Sequence, residues 1–147
     1  MRRLGAAVWL AGALLPAAAV AQGAPPVLDC TAGFEGLRTE ILGRPGAQAG
    51  EGGGFDVVMH SVPDVWRTET SFTTRWHPAY PAVTMRTYRK QVTGVWTAES
   101  KSCGFGDQGQ FAALVEQMKA GDKALTDASR AEVERQKASQ SPLAPAH

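Results

Sequence analysis

The chain has 147 residues, with fifteen Lys and Arg against fourteen Asp and Glu. That length supports one hydrophobic core and excludes a large multi-domain enzyme. The near-balanced charge excludes a protein whose main task is gripping nucleic acid or an anionic membrane surface, since both need a pronounced basic excess. Proteins and small ligands remain as partners.

Arg2 and Arg3 precede an apolar run from Leu4 to Leu15. Pro16 breaks that run, and Ala19-Val20-Ala21 supplies the small-x-small pattern that a signal peptidase reads. A signal peptide over residues 1–21, cleaved before Gln22, is the expectation. Without Arg2 and Arg3 the acidic residues outnumber the basic ones by one. An uncleaved anchor is the alternative, but the run is rich in alanine and glycine and falls short of the ~20 residues a spanning helix needs. Neither cysteine follows a lipid-attachment pattern. The address expected is therefore periplasmic or secreted, with no stable membrane insertion after cleavage.

Cys30 and Cys103 are the only cysteines. In an oxidising compartment they are expected to form one structural disulfide. A reactive or metal-binding thiol is disfavoured, because no C-x-x-C exists and neither cysteine has a histidine near it in sequence.

Gln22 to Pro26 reads as a mobile small-residue leader. Asp29 or Thr31 then caps a helix in which Phe34, Leu37 and Ile41 recur at i, i+3 and i+7. Gly43 to Gly54 holds six glycines and no large apolar side chain, which reads as a flexible loop. From Phe55 the period changes to two. Phe55, Val57 and Met59 alternate with Asp56, Val58 and His60. After a turn at Pro63-Asp64, Trp66, Thr68, Thr70 and Phe72 alternate with Arg67, Glu69 and Ser71. Beyond the loop Thr74 to Pro81, the segment Ala82 to Lys101 is too long for one strand of a small domain. It is expected to turn at Thr93-Gly94.

Cys103 to Gly106 should end the sheet, and Asp107 should cap the last helix. That helix places Phe111, Leu114, Val115, Met118 and Leu125 on one face. Gly121-Asp122 is a candidate end or bend. Asp127 to Lys137 is a polar helical extension that is either solvated or waits for a partner, and residues 138–147 read as a disordered tail. The fold class expected is α+β: a four-stranded antiparallel meander with an N-terminal and a C-terminal helix packed on one face and one disulfide, forming a single domain over residues 22–137.

Gly104, Gly106 and Gly109 match G-x-G-x-x-G between a strand and a helix. The preceding strands look antiparallel, however, so a tight turn beside the disulfide is the better reading than a phosphate cradle. No cofactor is expected. The histidines and carboxylates lack metal-ligand spacing, so no metal is expected either.

The best candidate surface is Arg75-Trp76-His77-Pro78-Ala79-Tyr80-Pro81, a stiff loop carrying the aromatic and arginine side chains that binding hot spots favour. The competing view turns Trp76 and Tyr80 inward to close the core. Tyr80-Pro81 and His77-Pro78 are candidate cis bonds. Arg67, Arg86 and Arg89, with Lys90, are expected to share one sheet face that steers an acidic partner, or else to make ordinary cross-strand ion pairs.

The leading functional reading is a small exported, non-catalytic binding or accessory module that contacts a protein or small ligand of the cell envelope, and not nucleic acid. Two alternatives stand beside it. One is a minor hydrolase using His77 as general base, although no nucleophile signature accompanies that residue. The other is an envelope assembly factor acting through the C-terminal helix.

Overall fold

The computed structural model describes residues 23–140. The expected signal peptide and residues 141–147 of the expected tail lie outside that range. The fold is α+β, with an antiparallel sheet, a long C-terminal helix and a disulfide joining Cys30 to Cys103.

The Asp29 carboxylate accepts hydrogen bonds from the Thr31 amide at 3.0 Å and the Thr31 hydroxyl at 2.7 Å. These bonds close a 3-10 turn over Cys30–Ala32. Gly33, with φ at +73°, then redirects the chain into helix α1 over Gly33–Gly43. Leu37 and Ile41 of α1 are fully buried, and they pack with Val58, Phe72, Val83, Met85 and Cys103 in the larger of two cores.

Five strands follow: β1 over Gln48–Gly52, β2 over Phe55–Val62, β3 over Trp66–Thr73, β4 over Ala82–Lys90 and β5 over Trp96–Gly104. They pair strictly in chain order as an antiparallel meander. The sheet thus has one strand more than expected. β1 lies inside the stretch read as a flexible loop, and Gly52 pairs with Phe55 across Gly53 and Gly54. Both of those glycines have positive φ, +60° and +82°, as a two-residue hairpin turn matched to strand twist requires. An edge strand is held by its backbone ladder to one neighbour, so β1 needs no large apolar side chain to form.

Cross-strand pairing fixes the two faces of the sheet. Val58 sits opposite Thr70, Thr70 opposite Met85, and Met85 opposite Lys101, so these side chains share a face. This is the face α1 covers. Ala82, Arg86 and Tyr88 project from the other face, where Ala82 meets Leu114 of helix α2, which spans Gln108–Gln140. The two helices therefore lie on opposite faces rather than together on one. Each face carries its own apolar set, and each needs a cover.

Helix α2 runs through Gly121-Asp122 without a break. Gly121 allows a close approach, since a Cβ there would stand 2.6 Å from Arg86 Nη2. The helix also continues past Lys137 through residues 138–140, so the expected tail begins as helix. Its 33 residues extend about 50 Å, farther than the roughly 30 Å of β5 beside it. The polar extension finds contacts within the chain. The Trp96 amide donates to Ser129 Oγ at 2.9 Å, and the Ala98 amide donates to Thr126 Oγ1 at 3.0 Å. Outward-facing ion pairs such as Arg130 with Asp127 and Lys137 with Glu134 support the solvent side.

The segment read as a mobile leader is tethered at two points, although Gly23 and Ala24 themselves are exposed. Pro26 is buried, Leu28 joins the α1-side core, and the Trp66 indole donates to the Gly23 carbonyl at 2.9 Å. A buried indole N–H needs an acceptor, and the leader backbone supplies one.

Candidate functional site

The loop between β3 and β4 is built from short internal bonds. The His77 amide donates to the Thr74 carbonyl at 2.9 Å, and the Tyr80 amide donates to the His77 carbonyl at 3.0 Å. At the loop's base, the Ala82 amide donates to Thr73 Oγ1 at 2.8 Å, while that hydroxyl donates to the Ala82 carbonyl at 3.0 Å. Ala79 is buried, and the Tyr80–Pro81 bond is cis.

His77 belongs to this scaffold. Its Nδ1 accepts the Ala79 amide at 3.1 Å, and its ring lies 4.7 Å from that of Phe55. With Nδ1 an acceptor, the neutral ring carries its proton on Nε2. Among the described residues no hydroxyl or carboxylate is hydrogen-bonded to His77. Tyr80 leans edge-on against Phe34 at 5.5 Å.

Trp76 does neither. Its side chain is 85% exposed, and it stands beside an open groove of about 330 Å³ lined by Phe34, Arg38, Thr74, Arg75 and Tyr80. Sequence alone left open whether both aromatics turn inward. Tyr80 is shared between the core and the groove, whereas Trp76 faces water.

The structure divides the expected arginine face. Residues 86 and 89 are an odd number apart on one strand, so their side chains leave opposite faces. Arg89 is exposed on the α1 side. Arg86 reaches under α2, where its Nε meets Asp122 Oδ1 at 2.6 Å and its Nη2 donates to the Met118 carbonyl at 3.3 Å. Arg67 shares the α2 face with Arg86 but stays exposed, its guanidinium lying over the Tyr88 ring at 4.1 Å. It is six residues from the β3 end that bears the loop, about 20 Å away. Lys90 pairs with Asp64 at 2.8 Å.

Sequence reasoning missed the surroundings of Arg67. Ser61, Arg67, Tyr88 and Ala98 form one row across four strands. Above the β5 end of that row stand Leu125 and Ser129 of α2, and Trp96 lies one step along. Together with the Pro63-Asp64 turn they enclose a cleft of about 390 Å³. The parity of Arg67, Tyr88 and Ala98 is readable in the chain, but the cleft exists only because α2 covers half of this face.

His60 projects from the α1 face opposite Thr68 and is 5% exposed. Neither ring nitrogen has a protein hydrogen-bond partner, and neither do the Thr68 and Thr70 hydroxyls beside it. Desolvation holds the His60 pKa below its ordinary value; the Arg44 backbone works against it, and the Arg44 charge adds a smaller lowering.

Among the described residues no three His, Cys, Asp or Glu side chains converge as a metal site would require, and no helix is long and apolar enough to cross a membrane. Comparisons with protein-family models, with curated proteins and with solved structures find no match to this chain.

Proposed function

We propose that the chain is an exported, non-catalytic binding module that docks on a protein of the cell envelope through Trp76 and the groove beside it. The observation that carries this reading is the 85% exposure of the Trp76 indole on a loop held by its own hydrogen bonds at both ends. An aromatic ring presented on a rigid support loses little conformational entropy when it is covered, which is why such residues anchor interfaces. Phe34 and Tyr80 supply an apolar floor, while Arg38 and Arg75 supply charged walls. Export is supported by the leader sequence of residues 1–21 and by the Cys30–Cys103 bond, which belongs to an oxidising compartment.

The test uses the disulfide-bonded chain as bait in the envelope fraction of its own host, with Trp76→Ala and Tyr80→Phe beside the wild type. Trp76→Ala is expected to melt at the wild-type temperature and to lose the captured protein, while Tyr80→Phe keeps it. A Trp76→Ala bait that retrieves the same protein in the same amount would remove the loop from the interface.

A further inference from the structure

We propose that the cleft between α2 and the uncovered half of the sheet binds a small amphipathic carboxylate, an acyl acid whose head group is held by Arg67. This site lies at the opposite end of the strands from Trp76, so the inference does not rest on the protein-docking role.

The argument starts at Arg67. Among the described residues its guanidinium makes no ion pair and no hydrogen bond, in contrast to Arg38, Arg44 and Arg86, each of which has an acidic partner. One flat face is occupied by the Tyr88 ring at 4.1 Å. Stacking of this kind leaves the edge of the guanidinium free, and that edge carries the paired N–H groups that match a carboxylate two to two. The ring beneath restricts where the guanidinium can sit, so less side-chain freedom remains to be lost on binding.

Apart from Ser61, Asp64 and Ser129, the rest of the cleft is lined by apolar and aromatic side chains. Tyr88 and Ala98 form its floor, and Trp96 and Leu125 form the wall opposite Arg67. Leu125 is 39% exposed, although it belongs to the apolar stripe of α2. Its stripe neighbour Leu114 is buried against Ala82. The α2 stripe therefore runs off the core and ends over an open space of about 390 Å³, within the size range of small-ligand sites. A positive group at one side and an apolar wall at the other select a molecule with a single anionic end and an apolar body. A compact polyanion would leave the wall of Trp96 and Leu125 uncovered, and a neutral hydrocarbon would leave Arg67 unpaired. Asp64, paired with Lys90 at the rim, further disfavours a ligand carrying a second negative charge.

The experiment titrates decanoate, below its micellisation concentration, into the isotope-labelled, disulfide-bonded chain and follows the backbone amides. Saturable shifts are expected at Tyr88, Ala98 and Ser129 and not at Trp76. Arg67→Gln should weaken binding by about tenfold or more, since a charge-assisted pair is lost, and decanol should bind the wild type more weakly by a similar factor. Arg67 is exposed, so this variant is expected to keep the wild-type spectrum. Ala98→Leu, which fills the floor from the other side, should also lose binding. The proposal is overturned if decanoate gives no saturable shift, if the shifts fall elsewhere, or if Arg67→Gln or decanol binds as tightly as the wild-type pair.

Discussion

The Arg86 guanidinium and the Asp122 carboxylate meet at 2.6 Å across the junction of β4 and α2, with their side chains only 15% and 13% exposed. Ser100 completes the group by donating its hydroxyl to Asp122 Oδ1 at 2.7 Å. Removing Asp122 leaves a mostly buried guanidinium whose remaining partners, the Met118 carbonyl and Sδ, carry no compensating charge. Asp122→Ala is therefore expected to cost about 3 kcal/mol in urea unfolding. The double variant Arg86→Met, Asp122→Leu should recover most of that loss, because an apolar pair of similar volume strands no charge. A double variant as unstable as Asp122→Ala would show that the pair itself contributes the stability.

The glycines of the G-x-G-x-x-G stretch have structural work that separates them. A Cβ at Gly104 would lie 2.4 Å from the Phe111 ring, and one at Gly106 would lie 2.4 Å from the Tyr80 carbonyl oxygen. At Gly109 the nearest atom is Asp107 Oδ1 at 3.4 Å. Gly104→Ala and Gly106→Ala should each lose about 1 to 3 kcal/mol through overpacking, while Gly109→Ala leaves the thermal midpoint unchanged or raises it. Equal losses at all three positions would reopen a role for the stretch as a unit.

The Cys30–Cys103 bond closes a sequence separation of 73 and ties the start of the 3-10 turn to β5. A loop of that size restricts the unfolded chain by about 4 kcal/mol. Unfolding in the presence of reductant, or of the paired Cys30→Ser, Cys103→Ser variant, should show a loss near that figure with native secondary structure retained below the midpoint.

Burial of His60 makes stability depend on pH in a definite direction. Its folded-state pKa lies below the ordinary value of 6.5, because desolvation outweighs the raising influence of the Arg44 backbone. As the pH falls through 6.5 the unfolded chain takes up a proton that the folded chain refuses, so stability is complete above 6.5 and declines below it. His60→Leu should flatten the curve of unfolding free energy between about pH 7 and pH 5, a window in which Asp and Glu carboxylates contribute little. An unchanged slope in that variant would mean that another group titrates.

Periodicity carried much of the fold. The period of two through Trp66, Thr68, Thr70 and Phe72 marks one buried face. The spacing of Leu37 and Ile41 marks the inner side of α1, and Asp107 does start α2, accepting the Gln110 amide at 2.8 Å. Strand β1 was illegible because QAGEG contributes no buried side chain, and its stability comes from a ladder with β2 that composition does not report. The choice of opposite faces for the helices was hidden for a different reason. Phe72 and Val83 supply apolar area on one side of the sheet, and Ala82, Tyr88 and Phe55 supply it on the other, so either side could take a helix. The loop 75–81 stood out by composition, but which ring faces water depends on Phe34 reaching Tyr80 and leaving Trp76 uncovered. The odd spacing of Arg86 and Arg89 already puts them on opposite faces, whereas Arg67 and Arg86 share a face and differ in what stands over them.

The hydroxyls of Ser129 and Thr126 take up the Trp96 and Ala98 amides at the outer rim of β5, whereas every residue of β1 is exposed. The rim of β1 is therefore an open edge for strand pairing. Two molecules joining there would exhaust each other's open hydrogen-bonding rim and stop, so this route ends at a closed pair and offers no path to a fibre.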